Sequence, residues 1–184
     1  MHTKTNEVSV KQTLKYILGI GLENLKYAEG KHAISIALSS AILVFVSGYL
    51  LNVSRLSTVF SLISIVFFAI SIGFNVFALM SRETIIKQAK KIKPNKKIES
   101  KINFTYYEDI AHFDAGTYLT YLIDDYGFPK KYEVDAFEVD LAQQILMNAK
   151  VISIKFLYYN KSIKLIGAGI FFTLIMVIMA SLGL

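Results

Sequence analysis

The chain has 184 residues, 54% of them hydrophobic, no cysteine and a net charge of +6. That length allows one compact unit or a membrane unit with a modest soluble part, and the lack of Cys excludes disulfides, thiolate metal sites and cysteine nucleophiles. The net charge hides its distribution: residues 1–32 have five Lys and three acids, residues 82–101 eight Lys/Arg and two acids, and residues 102–164 six Lys and nine acids.

Residues 1–9 are polar, and no cleavable signal-peptide pattern is expected ahead of the first long apolar run. From about Val10 to His32 the spacing of Leu14, Ile17, Leu18, Leu22 and Leu25 predicts a helix with one apolar stripe, against which Gly19, Gly21 and Gly30 argue. Ala33 to Leu51 is charge-free and long enough for a first membrane span. Asn52-Val53-Ser54-Arg55 leaves room only for a tight turn. Leu56 to Ser81 is again charge-free. As a helix it would be about 39 Å long, against a hydrocarbon core of about 30 Å.

This second span carries a pattern. At about 100° per residue, Ser57, Ser61, Ser64, Ser71 and Asn75 fall in one stripe about 80° wide, with Phe68 in its middle. Lipid does not favour a row of hydroxyls, so the stripe should face protein or water. Two readings stand: a helix–helix seam with Phe68 as a knob into its partner, or a pore-facing surface with Phe68 as an apolar constriction.

Arg82, Lys87, Lys90, Lys91, Lys93, Lys96, Lys97 and Lys101 crowd the exit of the second span. By the positive-inside rule this side and the N-terminus are cytoplasmic, and the C-terminus of a third span lies outside. Next to a membrane exit such a cluster points to topology and anionic-lipid contact rather than nucleic acid. Lys93-Pro94-Asn95 should break the helix continuing from the second span. Residues 102–133 read as one or two short cytoplasmic helices, with Asp114 capping one that runs through Ile123. Its Tyr118, Leu119 and Leu122 point inward, and Gly127-Phe128-Pro129 ends it. From about Asp135 one long helix should run into the third span, Leu165 to Leu184. There Gly169, Thr173, Ala180 and Gly183, with Met176 between, suit close packing. The expected architecture is therefore an all-α integral membrane protein with three transmembrane helices. Its parts are a cytoplasmic helix at 1–32, a transmembrane hairpin at 33–81, a cytoplasmic helical region at 82–164 and a third span at 165–184.

On the long helix, Val134, Leu141, Ile145, Ile152, Phe156, Tyr159 and Ile163 share one face. Beside it runs a ridge of Asp140, Gln144, Asn148 and Lys155. Such a ridge could hydrogen-bond a base and a phosphate, or a partner helix, or be the polar flank of an amphipathic helix. At the mouth of the first span Glu29 and His32 are one turn apart, and Lys31 could snorkel to headgroups. The aromatics of Asn103-Phe104-Thr105-Tyr106-Tyr107 could stack a base or fill a small core. No Gly-rich phosphate loop, nucleophile elbow or metal-spaced His cluster is present, so neither catalysis, cofactor nor metal is expected.

Three motifs in order carry a resemblance. They are Tyr27-Ala28-Glu29-Gly30-Lys31-His32 leading into a span, Asn103-Phe104 to Ile110-Ala111 with Tyr118-Leu119 downstream, and Asp140-Leu141-Ala142-Gln143-Gln144-Ile145 followed by Asn148, Ile152 and Lys155-Phe156. Over about residues 20 to 183 the chain resembles the Pycsar-type effector transmembrane domain of bacterial anti-phage defence. The resemblance implies a membrane effector that answers a cyclic nucleotide, made on infection by a cyclase, by impairing the inner membrane so that the infected cell stops growing or dies. Carried over by position, Glu29, Lys31, Asp140, Gln144 and Lys155 match the family's polar positions, either as ligand contacts or as an internal hydrogen-bond and ion-pair network. His32 and Gly30 stand where small residues are common. Some members carry an added sensor or hydrolase domain, for which this length leaves no room. The signal would then be read by the cytoplasmic helices or by a nucleotide-sensing partner. Three spans cannot enclose a pore, so a homo-oligomer is expected. The alternative is a membrane-anchored scaffold docking a cytosolic partner. A small transporter is weaker, because no charge lies inside a span.

Overall fold

The computed structural model describes residues 9–49, 55–80, 82–89, 102–129 and 131–183. These form six helices: α1 (Val10–Tyr49), α2 (Arg55–Leu79), α3 (Arg82–Ala89), α4 (Tyr107–Ile110), α5 (Ala115–Asp125) and α6 (Ala136–Ser181). Among the described residues there is no strand. The helix expected over Val10–His32 runs without a break into the span expected from Ala33, as far as Tyr49, and the long C-terminal helix likewise runs into the third span as far as Ser181. The second span does not continue into the next helix. It closes at Leu79, with the Met80 amide returning to the Phe77 carbonyl (3.1 Å), and α3 begins at Arg82. Of the tight turn expected at Asn52-Val53-Ser54-Arg55, residues 52–54 lie outside the described residues and Arg55 already opens α2; most of the basic exit, Lys90 to Lys101, also lies outside them.

The chain divides into two compact units. One comprises the N-terminal part through Lys26 with Arg82–Ile154; the other comprises Tyr27–Ser81 with Lys155–Leu184. The first is a small helical domain with an ordinary apolar core. Val10, Leu14 and Ile17 of α1 pack with Phe104, Tyr118, Leu122, Leu141 and Ile145. Of the stripe expected on α1, Leu22 instead lies exposed, because the buried face runs on through Ala28 as the helix leaves this unit. Three helix starts here have a local cause. Ser9 and Gln12 exchange backbone-to-side-chain bonds at 3.2 Å, a capping box opening α1. Asp114 accepts from the Thr117 amide (2.9 Å) and opens α5. Asp135 and Glu138 form a second box at α6, at 2.7 and 3.1 Å, and the Tyr132 hydroxyl donates to the buried Glu138 carboxylate at 2.6 Å. That bond holds the Tyr132 proton and pushes its pKa up to about 12. α5 ends where Gly127 adopts φ +71°, a left-handed conformation that lets the Phe128 amide reach back to the Ile123 carbonyl (3.0 Å).

The second unit is built the other way round. Its three helices, α1 from Tyr27, α2 and α6 from Lys155, are long and apolar enough to cross a membrane. Most of their outward residues are apolar, among them Ile34, Leu38, Val59, Leu62, Val66, Phe171, Leu174 and Ile178. Their inward residues include His32, Ser35, Ser39, Ser57, Ser61, Ser64, Ser71, Asn75 and Ser162, all buried. An apolar exterior around a polar interior suits lipid, not water, as solvent, and places the chain in a membrane. Contacts pair 32 with 75, 39 with 71, 71 with 162 and 64 with 173, so α2 runs antiparallel to both of its neighbours. Ile163, expected on the packed face of α6, is exposed here. Beyond Lys155 the inward stripe passes through Ser162, Ile166, Gly169 and Thr173 instead.

Candidate functional site

The inward polar side chains of the membrane unit are ordered in layers along the helices. At one end the Lys155 ammonium of α6, almost wholly buried, donates to Glu29 Oε1 of α1 (3.1 Å) and to the Ala78 carbonyl of α2 (2.8 Å). Ala78 lies in the last turn of α2, where backbone carbonyls have no partner within the helix, and α2 has no basic residue of its own there. Lys155 therefore finishes α2 from another helix. Glu29 keeps 47% of its side chain exposed, so the pair joins a buried cation to a half-solvated anion.

The next layer centres on His32 and Asn75. His32 Nδ1 lies 2.7 Å from Asn75 Oδ1, and Nε2 lies 3.0 Å from the Lys155 carbonyl. The Tyr159 ring meets the imidazole edge-on, with 5.8 Å between centroids. The amide nitrogen of Asn75 faces three oxygens, Ser35 Oγ (3.0 Å), the Ser71 carbonyl (2.9 Å) and Ser162 Oγ, which turns Oδ1 towards the imidazole. Both imidazole nitrogens thus face acceptors. A neutral ring donates to one of them, a doubly protonated ring to both. Ser162 also bonds Ser71 (2.7 Å) and Ser35 (3.3 Å), and Ser71 reaches Ser39 (3.5 Å). One α6 serine so ties the other two helices together.

Deeper in the span the polar ladder is interrupted by Phe68. Its ring is fully buried and lies against Gly169, where an added Cβ would stand 2.8 to 3.1 Å from three ring atoms. Only a glycine admits this approach. Beyond it, Ser64 and Thr173 both bond the Gly169 carbonyl (3.2 and 2.9 Å) and lie 3.2 Å apart. Ser61 bonds the Ser57 carbonyl of its own helix (3.0 Å). The Ser57, Ser61, Ser64, Ser71 and Asn75 stripe thus lies inside the three-helix unit of a single chain, with Phe68 seated on α6.

The ridge of Asp140, Gln144, Asn148 and Lys155 is not gathered into one place. Asp140 and Gln144 are exposed and Asn148 is buried in the helical domain, whereas Lys155 belongs to the membrane unit with Glu29. Lys31 stands apart from the ladder. Its ammonium lies over the rings of Tyr27 (4.5 Å), Phe156 (5.2 Å) and Tyr159 (5.3 Å), three aromatic faces around one cation. Of the Asn103–Tyr107 aromatics, Phe104 fills the helical core and Tyr106 is exposed.

Sequence reasoning did not single out Ser35, Ser39 and Ser162. Their signal was a spacing: Ser35 and Ser39 follow His32 by three and seven residues, and Ser162 follows Lys155 by seven, each on one helical face. The model of the Pycsar effector protein domain matches residues 13–182, nearly the whole chain. No curated protein and no solved structure matches it.

Proposed function

The chain belongs to the Pycsar effector family, with a role in cyclic-nucleotide-linked anti-phage defence, and from that premise we propose that it is a signal-gated membrane-disrupting effector. The N-terminus and the helical domain face the cytoplasm of a bacterial cell, and the C-terminus lies outside the inner membrane. The helical domain, or a nucleotide-sensing protein docked on it, receives a cyclic nucleotide. Copies of the chain then assemble and repack their spans, the inner membrane fails, and the infected cell stops growing.

The observation that supports this reading is the polar seam closed within one chain. Interhelical hydrogen bonds in a membrane are worth about 0.6–2 kcal/mol each. The seam is built largely from Ser, Thr and Asn groups, which can exchange one partner for another of the same kind in a neighbouring chain. Closed and assembled packings therefore differ by few kcal/mol, and a signal with differential affinity for the two can switch them. The chain passes between its units within α1 and again within α6.

The experiment is dye entry into cells expressing the chain, alone and with each of a panel of cyclic mono- and oligonucleotide synthases. Entry with one synthase and not without it is the expected result, lost when Ser61, Ser64 and Asn75 are replaced by Leu. Entry regardless of synthase would make the chain a constitutive toxin. No entry with any synthase would favour a membrane-anchored scaffold.

A further inference from the structure

The outward face of α2 contains a notch. Ile70, Phe74 and Phe77 project from it, while Gly73 contributes no side chain and a Cβ there would meet nothing within 4 Å. Tyr158 of α6 closes the other side. Together these five residues line a shallow apolar groove of about 420 Å³ on the outside of the membrane unit.

A cation stands at this groove. The Lys161 ammonium lies 5.6 Å from the centroid of the Tyr158 ring and 6.0 Å from that of Phe74, two of the groove's walls. Lys161 is exposed, and among the described residues no carboxylate lies within ion-pair distance of it. Of the other lysines of the membrane unit, Lys155 pairs with Glu29 and Lys31 lies over three rings, while Lys164 is exposed one turn further along α6. A helical side chain leans towards the N-terminus of its helix. Lys161 does so, reaching back over Tyr158 towards the end where Lys155 meets the α2 terminus. The apolar run of α6 begins just after Lys164, so this is the headgroup end of the span.

We propose that this groove is a binding site for an anionic phospholipid, one acyl chain lying along Gly73 between Phe74 and Tyr158 and the negatively charged headgroup on Lys161. A zwitterionic lipid could fill the same notch but would leave the cation without a net countercharge. One such contact is worth about 1 kcal/mol, about a fivefold preference. The site is independent of which nucleotide activates the chain, and of whether one does.

Native mass spectrometry of the full chain in detergent, titrated with equimolar phosphatidylglycerol and phosphatidylcholine of matched chains, tests it. Phosphatidylglycerol adducts should exceed phosphatidylcholine adducts by about fivefold. Lys161→Ala should bring the ratio to near one, and Lys161→Arg should keep it. Gly73→Phe should reduce adducts of both lipids, with helical content unchanged by circular dichroism because the added side chain enters open space. Glycerol 3-phosphate, which has the charge without the chains, should not displace the lipid. Equal retention of both lipids by the unsubstituted chain would overturn the proposal, as would a preference that survives both Lys161→Ala and Gly73→Phe. So would displacement by glycerol 3-phosphate, or a dimer that Gly73→Phe abolishes while lipid retention is unaltered.

Discussion

Removing Glu29 should cost more than removing Lys155, although they form one ion pair. Lys155 is 4% exposed and has two oxygen partners, Glu29 Oε1 and the Ala78 carbonyl. Glu29→Ala leaves a buried ammonium with one neutral acceptor. Breaking a fully buried pair costs about 3–5 kcal/mol. Glu29 is about half exposed, so part of that is already screened and about 2 kcal/mol is expected. Glu29→Gln keeps an acceptor and loses the charge, for about 1 kcal/mol. Lys155→Met removes the buried charge itself and leaves Glu29 to water, at a cost of the Ala78 carbonyl bond, so its net effect should be within about 1 kcal/mol of zero. Fluorescence-detected size exclusion after heating in detergent measures this as a midpoint, with about 2–4 °C per kcal/mol for a chain of this size. The double variant Glu29→Ala with Lys155→Met should recover most of the loss seen in Glu29→Ala. If Lys155→Met alone melts as low as Glu29→Ala, the buried cation is a net stabiliser and the reasoning is wrong.

Gly169→Ala should destabilise the membrane unit by about 1–3 kcal/mol, since its Cβ meets the fully buried Phe68 ring; adding Phe68→Leu should restore part of the midpoint, and a silent Gly169→Ala would refute the contact. Glu138→Ala, which deletes the second capping box and the Tyr132 bond, should lower thermal stability by about 1–2 kcal/mol, read as the melting midpoint by circular dichroism. Tyr132 holds its proton more tightly folded than unfolded. Between about pH 10 and 12 the fold therefore binds more protons than the unfolded chain, and stability falls as pH rises through that window. Tyr107, raised by burial to about 12, acts in the same direction. In Tyr132→Phe the alkaline loss should be smaller, which a pH series of melting curves would check. Asp114, held below its usual carboxylate range by the Thr117 amide and hydroxyl, gives stability that is lost as pH falls through that lowered value. Asp114→Asn should flatten that acid-side slope and keep the cap, whereas Asp114→Ala should cost about 1 kcal/mol at neutral pH.

Local features of the fold were legible because their causes are local. The Asp114 cap, the Gly127 stop and the apolar spans each follow from a few neighbouring residues or from a charge-free run. The seam was legible by type but not by partner. A stripe of Ser and Asn announces that something polar must cover it, yet whether that cover is another helix, another chain or water is set by α6, about 90 residues away. Lys155 shows the limit most clearly. Helical angles put it on a ridge with Asp140, but a wheel ignores height along the axis, and at about 1.5 Å per residue the two stand roughly 22 Å apart. Glu29, on another helix, is its neighbour instead. The Asp135–Glu138 box was there to be read as an acidic residue three places after a capping one.

The cross-helix cap on α2 also bears on how the chain is made. Synthesis delivers α1 and α2 to the bilayer first, as a hairpin whose last-turn carbonyl at Ala78 and whose His32 and Asn75 find their remaining partners on α6 at Lys155 and Ser162. Until those residues emerge from the ribosome, about 75 to 85 positions later, the hairpin carries unfinished polar groups at the membrane's edge. A nascent chain halted before α6 should therefore linger beside the insertion machinery or chaperones rather than partition freely into lipid, and arrival of the last helix is what releases it.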